Sequence, residues 1–145
     1  MKKTIFTFSV LLCTALSFSL FASPDGEHTE MEKSMERMDD AYKDLRRALR
    51  GASAENKAEY QALMSTMIKE AKASREWVPK KLAPLPEAEQ AKAMVGFQKE
   101  MDGMITELER IADLLEKEQF DDAGTALRGL RTYKSEGHEK YRLEE

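Results

Sequence analysis

Two side chains in this 145-residue chain carry donor chemistry at positions that can be placed: His138, one of two histidines, and Met35, one of nine methionines. His138 stands in the run Gly137-His138-Glu139-Lys140-Tyr141-Arg142, which closes the last helical stretch. It follows Leu127 by eleven residues, about three helical turns, so both fall on nearly the same line of a helix. Lys134 and Tyr141 flank it one turn to either side. A histidine on an apolar helix face is usually a core residue hydrogen-bonded to a neighbour; the alternative is a neutral imidazole offered to a metal. Met31, Met35 and Met38 fall at i, i+4 and i+7, with His28 two turns before Met35 on the same face. Soft sulfur donors in such a row can hold Cu(I), or simply fill a bundle interior.

Other chemistries find no residues to carry them. There is no serine–histidine–acid set, no phosphate loop and no His-Glu-x-x-His motif, so enzymatic activity is not expected. Lys2 and Lys3 precede the uncharged apolar run from Ile5 to Phe21, and Ser23-Pro24-Asp25-Gly26 follows Ala22. That is the pattern of a secretory signal peptide, residues 1–22, cleaved near Ala22 to leave an exported domain over 23–145. A membrane anchor is the competing reading, opposed by the short apolar core and the turn residues after it, so no stable membrane insertion is expected. The single Cys13 leaves with the signal, which excludes disulfides, thiolate metal sites and covalent haem attachment from the mature chain. The formal charge of −4 becomes −6 without Lys2 and Lys3, and no basic stripe with interleaved aromatics appears, so nucleic acid is not an expected partner.

The elements that must position Met35 and His138 read as helices throughout. Thr29 and Glu32 form a capping box, and Met31, Met35, Met38, Tyr42, Leu45 and Leu49 keep a 4, 3, 4, 3, 4 spacing that predicts a helix over Glu30 to Arg50. Ser53 caps a second helix, Ala54 to about Trp77. Pro79, Pro84 and Pro86 then forbid a continuous helix. A third begins near Glu87, with Met94, Phe97, Met101, Met104, Leu108, Ile111 and Leu115 along its seam; the turn Glu118-Gln119-Phe120-Asp121 leads into the fourth. Four amphipathic helices on short connections predict an all-α, up-down-up-down antiparallel four-helix bundle. In that topology the first and fourth helices are antiparallel neighbours. Met35 lies about 8 Å into the first helix and His138 a similar distance from the end of the fourth, so they should face each other at one level. A haem iron between them needs each donor atom about 2 Å away, which side chains on helices about 8–10 Å apart can reach.

The run Met35-Glu36-Arg37-Met38-Asp39-Asp40-Ala41-Tyr42-Lys43 resembles the ligand-bearing first helix of the cytochrome b562 family, and His138-Glu139-Lys140-Tyr141-Arg142 resembles that family's histidine-bearing close. Phe97 with Met101-Asp102, and Phe120-Asp121-Asp122-Ala123, fit its third helix and the following turn. The resemblance covers nearly the whole mature chain. It implies a periplasmic protein holding one noncovalent b-type haem, iron protoporphyrin IX, with Met35 and His138 as axial ligands, and one-electron transfer to a periplasmic redox partner. Phe97, Met101, Met38, Met31 and Tyr42 would line the pocket, with Lys134, Lys140 or Arg142 at the propionates. Met101 stands where the family often has a second phenylalanine, and Lys134 where an arginine is common. Gly124, Gly129 and Gly137 weaken the fourth helix. Two rivals stay open: a haem-free helical binding or stress module of the same fold, and a methionine-rich copper-binding protein.

Overall fold

The computed structural model describes residues 29–142. The expected signal peptide, residues 1–22, and with it Cys13, as well as His28, lie outside them. Four helices follow one another: α1 (Glu30–Ala48), α2 (Lys57–Ser74), α3 (Glu87–Glu116) and α4 (Phe120–Tyr141). None of the described helices is long and apolar enough to cross a membrane.

The local rules that start these helices are visible in their caps. The Glu32 backbone N–H donates to Thr29 Oγ1 at 3.2 Å while the Thr29 N–H donates to Glu32 Oε2 at 2.7 Å, which satisfies two otherwise orphaned donors. Ser53 accepts from the Glu55 N–H at 3.2 Å, but it starts a 3-10 turn, Ala54–Asn56, and α2 proper begins at Lys57. The first helix likewise tightens into a 3-10 turn, Leu49–Gly51, rather than remaining α-helical to Arg50. At its far end α2 stops at Ser74, three residues short of Trp77. Proline disfavours helical backbone in the residue before it and lacks an N–H, so the chain turns ahead of Pro79. Phe120 and Asp121, expected in the turn, form the first turn of α4.

Ion pairs and hydrogen bonds fix the antiparallel order. Ser34, early in α1, meets Glu70 and Ser74, late in α2. Lys72 reaches Glu109 at 2.8 Å and Arg75 reaches Asp102 at 2.6 Å, running α2 against α3. Lys140 reaches Glu100 at 2.9 Å, running α4 against α3, and Lys134 reaches Asp39 at 2.6 Å, closing the ring between α4 and α1.

The core is unevenly distributed along the bundle. Leu45, Tyr60, Met64, Leu108, Ile111, Leu115 and Leu127 are fully enclosed, and the Tyr60 and Phe120 rings meet edge-on at 5.7 Å. All lie toward the end where α1 and α3 finish and α2 and α4 begin. Each such side chain contributes about 1.5–3 kcal/mol through burial. Toward the other end, where Met35 and His138 sit, coverage thins.

Candidate functional site

Successive residues of α1 are rotated by about 100°, so its faces can be mapped from the Ser34 direction, which points at α2. Ala41 and Leu45 lie within about 20° of Ser34, and all three are buried. Met38, Met31, Tyr42 and Met35 fan out to about 40°, 60°, 80° and 100°, and all four are only half-buried while packed against the core. Asp39, at about 140°, touches Lys134 of α4. The apolar face of α1 is therefore sealed on its α2 side and open on its α4 side.

The inward line of α4 shows the complementary opening. Leu127 is 1% exposed, yet Lys134 and His138, on nearly the same line, are both exposed. No residue from Arg131 to Lys140 is buried. This half of α4 leans on α3 instead: the Tyr133 ring lies 3.6 Å from a Cβ built on Gly103, and Tyr141 packs edge-on against Phe97 at 5.0 Å with its hydroxyl 3.8 Å from a Cβ built on Gly96. Small residues on α3 admit the two tyrosines, while the side of α1 toward α4 is only half-covered, which leaves a thinly covered strip, the slot, between the two helices.

Register across the slot follows from the Asp39–Lys134 pair. One step of four residues back along α1 reaches Met35, and four residues onward along antiparallel α4 reaches His138. The two donors stand at one level, about one turn beyond the ion pair. His138 makes no side-chain hydrogen bond among the described residues, which removes the reading of it as a satisfied core histidine. Loss of hydration near the protein surface and the charges of Arg142 and Lys134 hold its pKa below the usual histidine value, favouring the neutral imidazole that a metal needs.

The remaining candidates divide. Phe97 and Met101 are buried on α3, and Met38 and Tyr42 border the slot from α1. Burial pushes the Asp39 carboxyl up, but hydrogen bonds from Lys134 and Lys43 outweigh it and keep it ionised. Lys134 and Lys140 are thus engaged with Asp39 and Glu100, whereas Arg142 pairs with no carboxylate among the described residues. Met31, Met35 and Met38 share the slot side of α1, so the copper row and the slot wall are the same atoms. Among the described residues no three His, Cys, Asp or Glu side chains gather into a metal-holding group.

Sequence reasoning missed the roof of this end. In the linker between α2 and α3, Lys80 reaches Glu32 of α1 at 2.8 Å and Lys81 donates to the Glu139 carbonyl of α4 at 2.8 Å, while Pro79 and Leu82 are buried beneath. The Lys80-Lys81 pair between prolines was the available signal. It also missed Ser34 and Glu70, polar residues enclosed between α1 and α2.

The residues present fit a flat apolar group. Half-covered methionines line one wall, an exposed histidine stands level with Met35 on the other, and the Tyr42 hydroxyl is buried without a hydrogen-bond partner. The fold defines an all-α protein of the four-helix-bundle class. The cytochrome b562 family model matches residues 30–142, and the chain belongs to that family. No curated protein matches the chain.

Proposed function

We propose that this protein is an electron carrier that holds one noncovalent b-type haem in the slot, with Met35 and His138 as axial ligands, and that it works in the periplasm after export. The observation that supports the reading is a match in level: half-buried Met35 on α1 and exposed His138 on α4 each lie four residues from the Asp39–Lys134 pair that joins the two antiparallel helices. Bound there, the haem supplies a reversible one-electron couple. The chain's own residues do the rest. His138 offers a neutral imidazole, and Met35 a soft thioether that favours the ferrous state and so raises the potential. Held by both side chains, a haem iron would have no position left for a substrate, so the protein would carry charge rather than transform a molecule. Phe97, Met101, Met38 and Tyr42 exclude water, and Arg142, lacking a described partner, is the cation best placed to meet a propionate.

Hemin titration of the purified protein tests this. The wild type should bind one equivalent and, once reduced, show sharp low-spin α and β bands. Met35→Ala should give a high-spin spectrum with weaker binding, and His138→Ala should abolish the low-spin species. A wild type that does not bind hemin, or variants that bind like it, would refute the reading.

A further inference from the structure

Between α1 and α2, beside Met35 but on another face, lies a polar cluster that the electron-carrier reading does not use. Ser34 and Ser74 are 0% exposed and Glu70 is 7% exposed. Ser34 Oγ donates to Glu70 Oε2 at 2.6 Å, Ser74 Oγ donates to Ser34 Oγ at 3.1 Å, and Arg37 Nη2 donates to the same Glu70 oxygen at 2.8 Å. Both serine hydroxyls and one Arg37 nitrogen donate within the set.

Such a cluster is a poor way to gain stability. A carboxylate drawn out of water loses hydration that its ion pair only partly restores, and well-packed apolar residues of similar volume are often as stabilising or more so. What short hydrogen bonds between enclosed groups supply is geometry. An apolar seam tolerates a slide or a small rotation, whereas the Ser34–Glu70 bond survives only one azimuth and one axial register of α1 against α2. Small serine side chains also let the two helices approach closely there.

That azimuth matters because Ser34 is the residue before Met35. Fixing Ser34 toward α2 fixes the Met35 Cα–Cβ bond about 100° away, facing the slot. From α4 the corresponding constraint is weak: the Lys134–Asp39 pair is solvent-exposed on its lysine side, and exposed pairs hold geometry loosely. We infer that the Ser34–Glu70–Ser74 cluster, with Arg37, is a positioning device that aims the Met35 sulfur into the slot before any ligand arrives. This rests on Met35 being an axial ligand. The partners that orient a metal's own ligands ordinarily shift affinity by about 10–100-fold when removed.

The test uses the full mature chain with methionines labelled at the methyl carbon. In the haem-free wild type, the Met35 methyl should give one sharp resonance. Ser34→Ala and Glu70→Leu should move or broaden it while leaving Met67 unchanged, and Glu70→Gln, which keeps an acceptor for Ser34, should restore it. With hemin, Ser34→Ala should bind about tenfold more weakly and show a high-spin fraction absent from the wild type. Ser53→Ala, which removes a cap at the opposite end, should change neither readout. Should Ser34→Ala not fold, Ser74→Ala serves the same comparison. A wild type without a low-spin complex would overturn the ligand reading, while the methyl resonance would still decide whether the cluster positions Met35. An unmoved Met35 methyl and an unaltered spectrum in the serine variants, despite lowered stability, would overturn the inference.

Discussion

Tyr42 is the residue where enclosure and hydrogen bonding conflict: its hydroxyl is buried and has no partner among the described residues, while Arg46 sits 6.0 Å above its ring. An unsatisfied buried hydroxyl costs about 1–3 kcal/mol, so Tyr42→Phe should raise the stability of the haem-free protein by about 1 kcal/mol in urea unfolding. A loss of similar size would show that the hydroxyl is satisfied in solution. Glu70 sets a pH dependence. Hydrogen bonds from Arg37 and Ser34 outweigh burial and hold its carboxyl below the usual glutamate range, so the folded state binds its proton less readily than the unfolded one. Its contribution is therefore present above about pH 4.5 and lost as pH falls through the depressed folded pKa. The stability difference between wild type and Glu70→Gln should shrink on acidification through that range; a constant difference would contradict it. At this scale the sequence was legible where periodicity speaks. The spacing of Leu45, Phe97, Met101, Leu108, Ile111, Leu115 and Leu127 marked residues that the structure buries, whereas His138, eleven residues after Leu127, is exposed. Ser34 and Glu70 were not legible, because a serine or glutamate on a helix reads as solvated until its opposite number on the next helix is known.

Among the elements, the α3–α4 turn and the end of α4 carry avoidable strain. Glu118 adopts φ 59°, the left-handed region that favours glycine, with the Glu118 and Gln119 N–H groups donating to the Leu115 and Leu114 carbonyls at 3.1 and 2.9 Å. Glu118→Gly should stabilise the fold by about 1 kcal/mol, and thermal unfolding would detect it. In α4, a Cβ added at Gly129 or Gly137 meets no heavy atom within 4 Å. Alanine at either position should stabilise the helix by about 1 kcal/mol, read as a raised melting temperature. Because residues 131–140 have no buried member, the amides from Tyr133 to Tyr141 should exchange readily without haem and gain protection when hemin binds. Equal exchange in both states would contradict an unsupported helix end. The capping box was readable from local chemistry alone, as was a break before Pro79, though α2 ends at Ser74 rather than near Trp77. The 3-10 turns were not, since whether a last turn tightens depends on what it packs against.

For the molecule as a whole, the four-helix bundle followed from helical periodicity and short connections, but the thin cover between α1 and α4 did not. It depends on α4 leaning toward α3 through Tyr133 against Gly103 and Tyr141 against Phe97, contacts that no single helix announces. The result is a tightly packed end that stabilises the fold and a thinly covered end where the proposed haem would sit. Hemin at about a hundredfold excess over Kd should accordingly add about 2.7 kcal/mol of stability, and this gain should vanish in His138→Ala. The most direct measurement of the central claim is proton NMR of the reduced hemin complex with methyl-labelled methionine. A methionine methyl lying over the haem face is shifted far upfield by the ring current. One such methyl is predicted, disappearing in Met35→Ala and returning to the ordinary methionine region in His138→Ala. No upfield methyl in the wild type, or one that persists in Met35→Ala, would contradict the account.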